Sequence, residues 1–326
     1  MIDKETIAAV GAGRMGRGIA IAFAYAGHAV RLIDAKPRSA DDFATLQQAA
    51  MEEIKATLAM LAGFGLLEAD EVETVCARVT CFPLDQMEAA LASVPVIFEG
   101  VPETLEAKRD AFEAVSRCAD VDAIVASTTS TILSNDLQGF VDAPERFLNA
   151  HWLNPAYLVP LVELSPGDET APETTARLKE LLERIGKVPV VCTASPGYIV
   201  PRIQALAMNE AARLVEEGVA SAEDIDKATK YGFGFRFAVL GLLEFIDWGG
   251  GDILYYASRY MADATGEDRF QAPRIVQDNM AQGRNGLRDG EGFMNYDGMD
   301  VPAYQKQRIG AFAEMLRHLD KMPVKG

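Results

Sequence analysis

The sequence predicts an α/β chain in which a doubly wound, mainly parallel sheet is followed by an all-α domain. Three observations predict it. Short apolar runs alternate with amphipathic helical patterns over residues 1–194. A glycine-rich turn joins the first strand pattern to the first helix pattern. Beyond the segment Thr193-Ala194-Ser195-Pro196-Gly197, helical patterns follow one another with few strand signals.

The strand patterns fall at residues 6–10, 29–33, 79–82, 96–98, 124–126, 147–151, 161–164 and 188–191. Each is short and mostly apolar, as in strands covered on both faces. Between them, residues 15–25, 38–62, 67–77, 105–118 and 173–185 repeat their apolar positions at helical spacing. Strand–helix alternation of this kind implies right-handed crossovers and a parallel sheet. The change at 193–197 sets expected domains of 1–194 and 195–326, the second with helices near 198–217, 221–230, 239–246, 249–265 and 271–282. Ser221-Ala222-Glu223-Asp224 has a capping serine with an acid three residues on.

Composition removes several function classes. With 326 residues the chain is long enough for two domains, and about half of it is apolar. Lys and Arg total 31 against 48 Asp and Glu, a net charge of −17, which repels nucleic-acid phosphates and anionic lipid. Cys76, Cys81, Cys118 and Cys192 are scattered, and only three histidines accompany them, so neither a metal site nor a disulfide framework is expected. No signal peptide is expected from the charged start MIDKETIAAV, and no apolar run reaches the ~20 residues of a membrane span. A cytoplasmic protein follows as the expectation.

Gly11, Gly13 and Gly16 form GxGxxG in GAGRMG, between the first strand and first helix. Such glycines allow a tight turn, approach of backbone to a pyrophosphate, and close helix–strand packing, with the phosphate at the helix N-terminus. Arg14 and Met15 lie in the same turn and count among the cofactor contacts. Asp34 closes the second strand, where a carboxylate accepts from ribose hydroxyls and repels a 2′-phosphate. The prediction is a Rossmann-type domain binding NAD.

His151 ends one strand pattern, and Glu163 lies twelve residues on, at the expected end of the next. Strand ends line the ligand crevice of a doubly wound sheet, so the two can meet over the nicotinamide. A neutral imidazole can take a hydroxyl proton while hydride leaves for the cofactor, with a carboxylate behind it stabilising the imidazolium. Read singly, His151 could as well be structural and Glu163 a solvated charge.

Taken in order, GAGRMG, FEGVPETLEAKRDAF, ASTTS, HWLNPAYLVPLVE, SPGYIVPR, EGVASAEDIDKATKYGFG and DGEGF resemble the L-3-hydroxyacyl-CoA dehydrogenase family over nearly the whole chain. The resemblance implies an NAD-dependent oxidation of a secondary alcohol beta to a carbonyl. It implies His151 as general base with Glu163 as partner, and Ser130 as a hydrogen-bond donor to the reacting oxygen. Asn154 would lie beside the nicotinamide, Glu103 and Lys108 would contact the cofactor side, and Arg288 would lie near the cofactor. Without the resemblance, Ser130 reads as a helix cap, Asn154 as a turn residue, and Glu103 with Lys108 as an exposed helix pair. The resemblance also implies a helical domain that completes the substrate cleft and forms a homodimer.

Three departures bear on the substrate. Pro201 stands where the family carries an asparagine that contacts substrate, and proline offers neither side-chain donor nor N–H. Residues 41–65 carry only Lys55 against four acids, where acyl-CoA relatives have a lysine-rich helix suited to phosphates. The stretch GFGFRFAVLGLLEFIDWGG holds Arg236, which could clamp a carboxylate, as in relatives acting on free acids such as L-gulonate or carnitine; an interdomain or subunit salt bridge is its other reading. The substrate is therefore expected to be a small molecule, either a 3-hydroxyacyl-CoA or a hydroxy acid. An aldehyde-oxidising relative acting on a heterocycle and a redox-silent structural protein stay open beside these.

Overall fold

Eight short strands build one sheet in the computed structural model, which describes residues 4–324. They are β1 (Ile7–Val10), β2 (Val30–Ile33), β3 (Val79–Phe82), β4 (Val96–Glu99), β5 (Ile124–Ser127), β6 (Phe147–Trp152), β7 (Leu161–Pro166) and β8 (Val188–Val191). Their order is β3-β2-β1-β4-β5-β6-β7-β8, and every neighbouring pair is parallel except β6 with β7. The order reverses between β1 and β4, which places a crevice at the carboxyl ends of those two strands.

The helices of the sheet region are α1 (Arg14–Tyr25), α2 (Ala40–Gly63), α3 (Val72–Cys76), α4 (Met87–Leu91), α5 (Leu105–Cys118), α6 (Ser134–Leu137), α7 (Pro172–Arg184) and α8 (Val200–Glu216). Alternation along β1 supplies both core layers: Ile7 and Ala9 enter one, Ala8 and Val10 the other. The first layer takes Ile19 and Phe23 of α1, Ile54 and Leu58 of α2, and Leu178 of α7. The second takes Leu91 of α4 and Phe112 and Val115 of α5. Each such fully buried side chain contributes about 1.5–3 kcal/mol, so the two layers hold the strand ends, and the residues they carry, in fixed positions.

By packing, the chain divides into units Met1–Ala207 and Met208–Gly326, a division that falls inside α8. The second unit contains α9 (Ala222–Ala228), α10 (Phe235–Phe237), α11 (Leu242–Gly249), α12 (Gly251–Thr265), α13 (Arg274–Ala281) and α14 (Val301–His318). Ser221 caps α9, its Oγ accepting from the Asp224 N–H at 3.1 Å. The helix expected over 221–230 stops at Ala228 and continues as a π-type turn over Thr229–Gly234, where Gly232 and Gly234 loosen the ladder. Helix α14 has no counterpart among the expected elements, because its apolar and polar residues mix without a clean stripe. Among the described residues, no helix is long and apolar enough to cross a membrane.

Candidate active site

The turn after β1 is shaped by close approach. Gly11 has φ +111°, and a Cβ there would lie 2.6 Å from the Gly100 carbonyl oxygen, at the turn after β4. A Cβ on Gly16 would lie 2.0 Å from the Gly11 carbonyl oxygen, so α1 can pack this close only with glycine. At Gly13 a Cβ would enter open space, and no side chain caps α1 there. The first N–H groups of α1 are thus left facing a cleft of about 860 Å³, lined by Gly11, Gly13, Asp34, Arg38 and Gly100. Asp34 is buried, with its carboxylate accepting from Arg38 Nε and, at 3.3 Å, from the Lys36 N–H. A helix N-terminus for a pyrophosphate and a carboxylate for ribose hydroxyls fit NAD.

A second cleft of about 440 Å³ shares Gly100 and Val101 with the first. It gathers Arg14, Met15, Glu103, Ser130, His151 and Asn154, the candidate residues of the sheet crest. Pro201 and Gln204 of α8 line it too.

His151 and Glu163 are register partners across the antiparallel β6–β7 pair, so their side chains share a face. His151 Nδ1 lies 2.8 Å from Glu163 Oε2, and both side chains are buried. The route differs from the expected one. Glu163 is the third residue of β7, not its end, and it reaches the crest because β7 runs against β6. Its other oxygen, Oε1, accepts from the N–H groups of Ile199 and Val200, each at 2.9 Å, at the start of α8. Burial acts to raise the Glu163 carboxyl, but the hydrogen bonds from His151, Val200 and Ile199 outweigh it and hold the carboxyl below its ordinary range. An ionised Glu163 can only accept, so His151 Nδ1 donates to it, and in the neutral imidazole this tautomer leaves the Nε2 lone pair for a substrate proton.

Glu103 organises the loop after β5. Its Oε1 accepts from the N–H groups of Ser130 (2.9 Å) and Thr131 (3.0 Å), and from the hydroxyls of Thr129 (2.5 Å) and Thr131 (2.9 Å). Burial would raise its carboxyl; the Thr129 bond, the Lys108 charge and the bonds from Thr131 and Ser130 instead bring it down to about 2. Ser130 caps no helix: α6 begins after Leu133, and Ser130 lines the cleft with its hydroxyl 3.5 Å from Glu103 Oε1.

Lys108 is neither half of an exposed pair nor a lining residue of these clefts. Its ammonium is buried, 3.0 Å from Glu99 Oε2, 3.4 Å from Glu103 Oε2 and 3.4 Å from Ser127 Oγ. It therefore reaches the cleft through Glu103 and not by direct contact. Arg236 and Arg288 belong to the second unit. Arg236 is exposed, with its guanidinium carbon 5.4 Å from the centre of the Phe245 ring, and Arg288 pairs with Asp252 at 2.8 Å.

Sequence reasoning missed Tyr198. Its ring stacks on His151, with centroids 5.0 Å apart and planes 7° from parallel. Its hydroxyl donates to the Thr129 carbonyl at 3.0 Å and accepts from Asn149 Nδ2 at 3.0 Å. The only signal for it was a place in the SPGYIVPR block, where Tyr198 lies 47 positions from His151.

The family model described as 3-hydroxyacyl-CoA dehydrogenase, NAD binding domain, matches residues 6–195. The model of the C-terminal domain of the same family matches residues 197–296. A 5-formyl-3-hydroxy-2-methylpyridine 4-carboxylate 5-dehydrogenase of Mesorhizobium japonicum is 32% identical over 97% of this chain and 98% of its own length. A probable 3-hydroxybutyryl-CoA dehydrogenase of Bacillus subtilis is 29% identical over 91% of this chain and 99% of its own. The crystal structure of a 3-hydroxyacyl-CoA dehydrogenase from Archaeoglobus fulgidus superposes with a TM-score of 0.77 at 30% identity, covering 98% of this chain and all of that one. The cleft that fits a dinucleotide and the length of these matches lead to one conclusion: the chain belongs to the 3-hydroxyacyl-CoA dehydrogenase family, NAD-dependent oxidoreductases acting on CH–OH groups.

Proposed function

We propose that the chain oxidises the 3-hydroxyl carbon of an L-3-hydroxyacyl substrate, of the 3-hydroxybutyryl-CoA class, to the 3-oxo product. The observation that carries this reading is the His151–Glu163 pair, 2.8 Å apart, with His151 on the wall of the cleft that also holds Ser130 and Asn154 and Glu163 buried behind it. His151 Nε2 takes the hydroxyl proton, and Glu163 stabilises the imidazolium that forms. Ser130 donates to the substrate oxygen, and Asn154 orients what binds beside it. NAD, when bound, supplies the hydride acceptor. In this reading residues 1–194 form the cofactor domain and residues 195–326 the substrate and dimerisation domain of a homodimer.

A specific observation favours a second reading, a small carboxylate without CoA. Lys55, the one lysine of α2, is already paired with Glu73, and α2 otherwise carries Asp41, Asp42, Glu52 and Glu53. A CoA phosphate would meet repulsion there. The Mesorhizobium relative, named for a pyridine carboxylate, points the same way. In that reading Arg236 holds the carboxylate.

The deciding experiment follows NADH absorbance with 3-hydroxybutyryl-CoA beside 3-hydroxybutyrate, gulonate, carnitine and a heterocyclic aldehyde acid. A kcat/KM at least about tenfold higher for the thioester supports the first reading, and the reverse order supports the second. Tight NAD binding with turnover of none of them contradicts both.

A further inference from the structure

The tripeptide Tyr198-Ile199-Val200 touches three parts of the site at once. The Tyr198 ring covers one face of the His151 imidazole. The next two N–H groups, of Ile199 and Val200, hold Glu163 Oε1 at 2.9 Å each. The Tyr198 hydroxyl donates to the carbonyl of Thr129, the residue before Ser130. The base, its carboxylate and the serine loop therefore hang on three consecutive residues.

The local backbone is held where it is by these contacts. Tyr198 has φ +44°, in the left-handed region that a bulky residue adopts only when its surroundings impose it. Pro201 follows in the first turn of α8, and its missing N–H leaves no orphan donor beside the two that serve Glu163. The Tyr198 side chain is buried, and two partners fix its hydroxyl, so the ring cannot pivot without breaking a hydrogen bond. Burial, only partly offset by the Asn149 hydrogen bond, pushes the phenol far above its ordinary range, which keeps it a neutral donor to Thr129.

We propose that Tyr198 is a positioning residue: its ring plates the His151 imidazole and its hydroxyl locks that plate to the Ser130 loop. The proposal rests on His151 being the base. It gives Tyr198 a role distinct from that of Glu163, which holds one edge of the imidazole at Nδ1, whereas the Tyr198 ring covers a face. With the ring stacked against it, Nε2 is aimed at one point in the cleft.

The test compares Tyr198→Phe and Tyr198→Leu with the unaltered enzyme, using NAD and whichever substrate of the panel turns over. Three quantities are read: kcat against KM, NAD affinity by calorimetry, and solvent exchange of the His151 Nδ1–H proton by NMR with 15N-labelled histidine. That resonance is identified by its loss in His151→Gln. Tyr198→Phe is expected to lower kcat about fivefold and to speed Nδ1–H exchange, with KM and NAD affinity within about threefold of wild type. Tyr198→Leu, without the ring, is expected to lower kcat about 100-fold, the order lost on misplacing a reacting group by roughly 1 Å. Wild-type kcat together with wild-type exchange in Tyr198→Phe overturns the proposal, whether or not Tyr198→Leu folds. Reduced kcat with unchanged exchange in both variants also overturns it, because the loss then does not pass through the imidazole. Turnover retained in His151→Gln would instead sink the base reading, while the exchange comparison would still report whether Tyr198 holds the ring.

Discussion

At Asp34 a single carboxylate meets two claims. It is paired with Arg38 on one side and faces the nucleotide cleft on the other. Hydrogen bonds to a charged acceptor are worth about 1.5–3 kcal/mol, or roughly 10–100-fold in affinity. Asp34→Ala is therefore expected to weaken NAD binding by at least about tenfold and to free Arg38 for a 2′-phosphate, narrowing the preference over NADP. Calorimetry with both nucleotides checks this; equal NAD affinity in variant and wild type would contradict the assignment. Asp34 and His151 were legible as residues because their chemistry is specific and their places near strand ends follow from the apolar runs; Glu163 was legible as the carboxylate of the next strand, though it stands within β7 and not at its end. Tyr198 was not, since an aromatic in a turn carries no mark of the ring it will stack on, and neither was Lys108, whose burial depends on Glu99 arriving from another strand.

Among the elements, the β5 loop and the β6–β7 pair matter most to the site. Glu103 draws Thr129, Ser130 and Thr131 around one oxygen, and its carboxyl lies at about 2 against an ordinary 4.5. A carboxylate whose folded-state value is depressed stabilises the fold above its unfolded value, and that contribution disappears as pH falls through the folded value. The melting-temperature gap between wild type and Glu103→Gln should accordingly be near its full width from about pH 5 upward and shrink steadily as pH falls toward 2. A gap independent of pH over that window would show that the charge of Glu103 does not hold the loop. The strands themselves were legible from their short apolar runs, but the direction of β7 was not. Nothing in LVELSP distinguishes a parallel from an antiparallel strand, and the reversal is what carries Glu163 to the crest.

For the molecule as a whole, the order of strand and helix patterns gave the architecture of a sheet followed by helices. The second unit exposes the large apolar side chains of Met208, Phe233, Ile253, Tyr256 and Tyr260, which a homodimer, as proposed, could cover. Light scattering during size exclusion is expected to return twice the mass of one chain, and a monomer at micromolar concentration would contradict that assembly.

One substitution bears on everything above. His151→Gln keeps a polar side chain of similar reach but removes the basic nitrogen opposite Glu163. Loss of general-base catalysis costs about 10²–10⁴-fold, so turnover should fall by that order while NAD binds within about twofold of wild type. Turnover within a few-fold of wild type, on a substrate that the unaltered enzyme oxidises, would contradict the account.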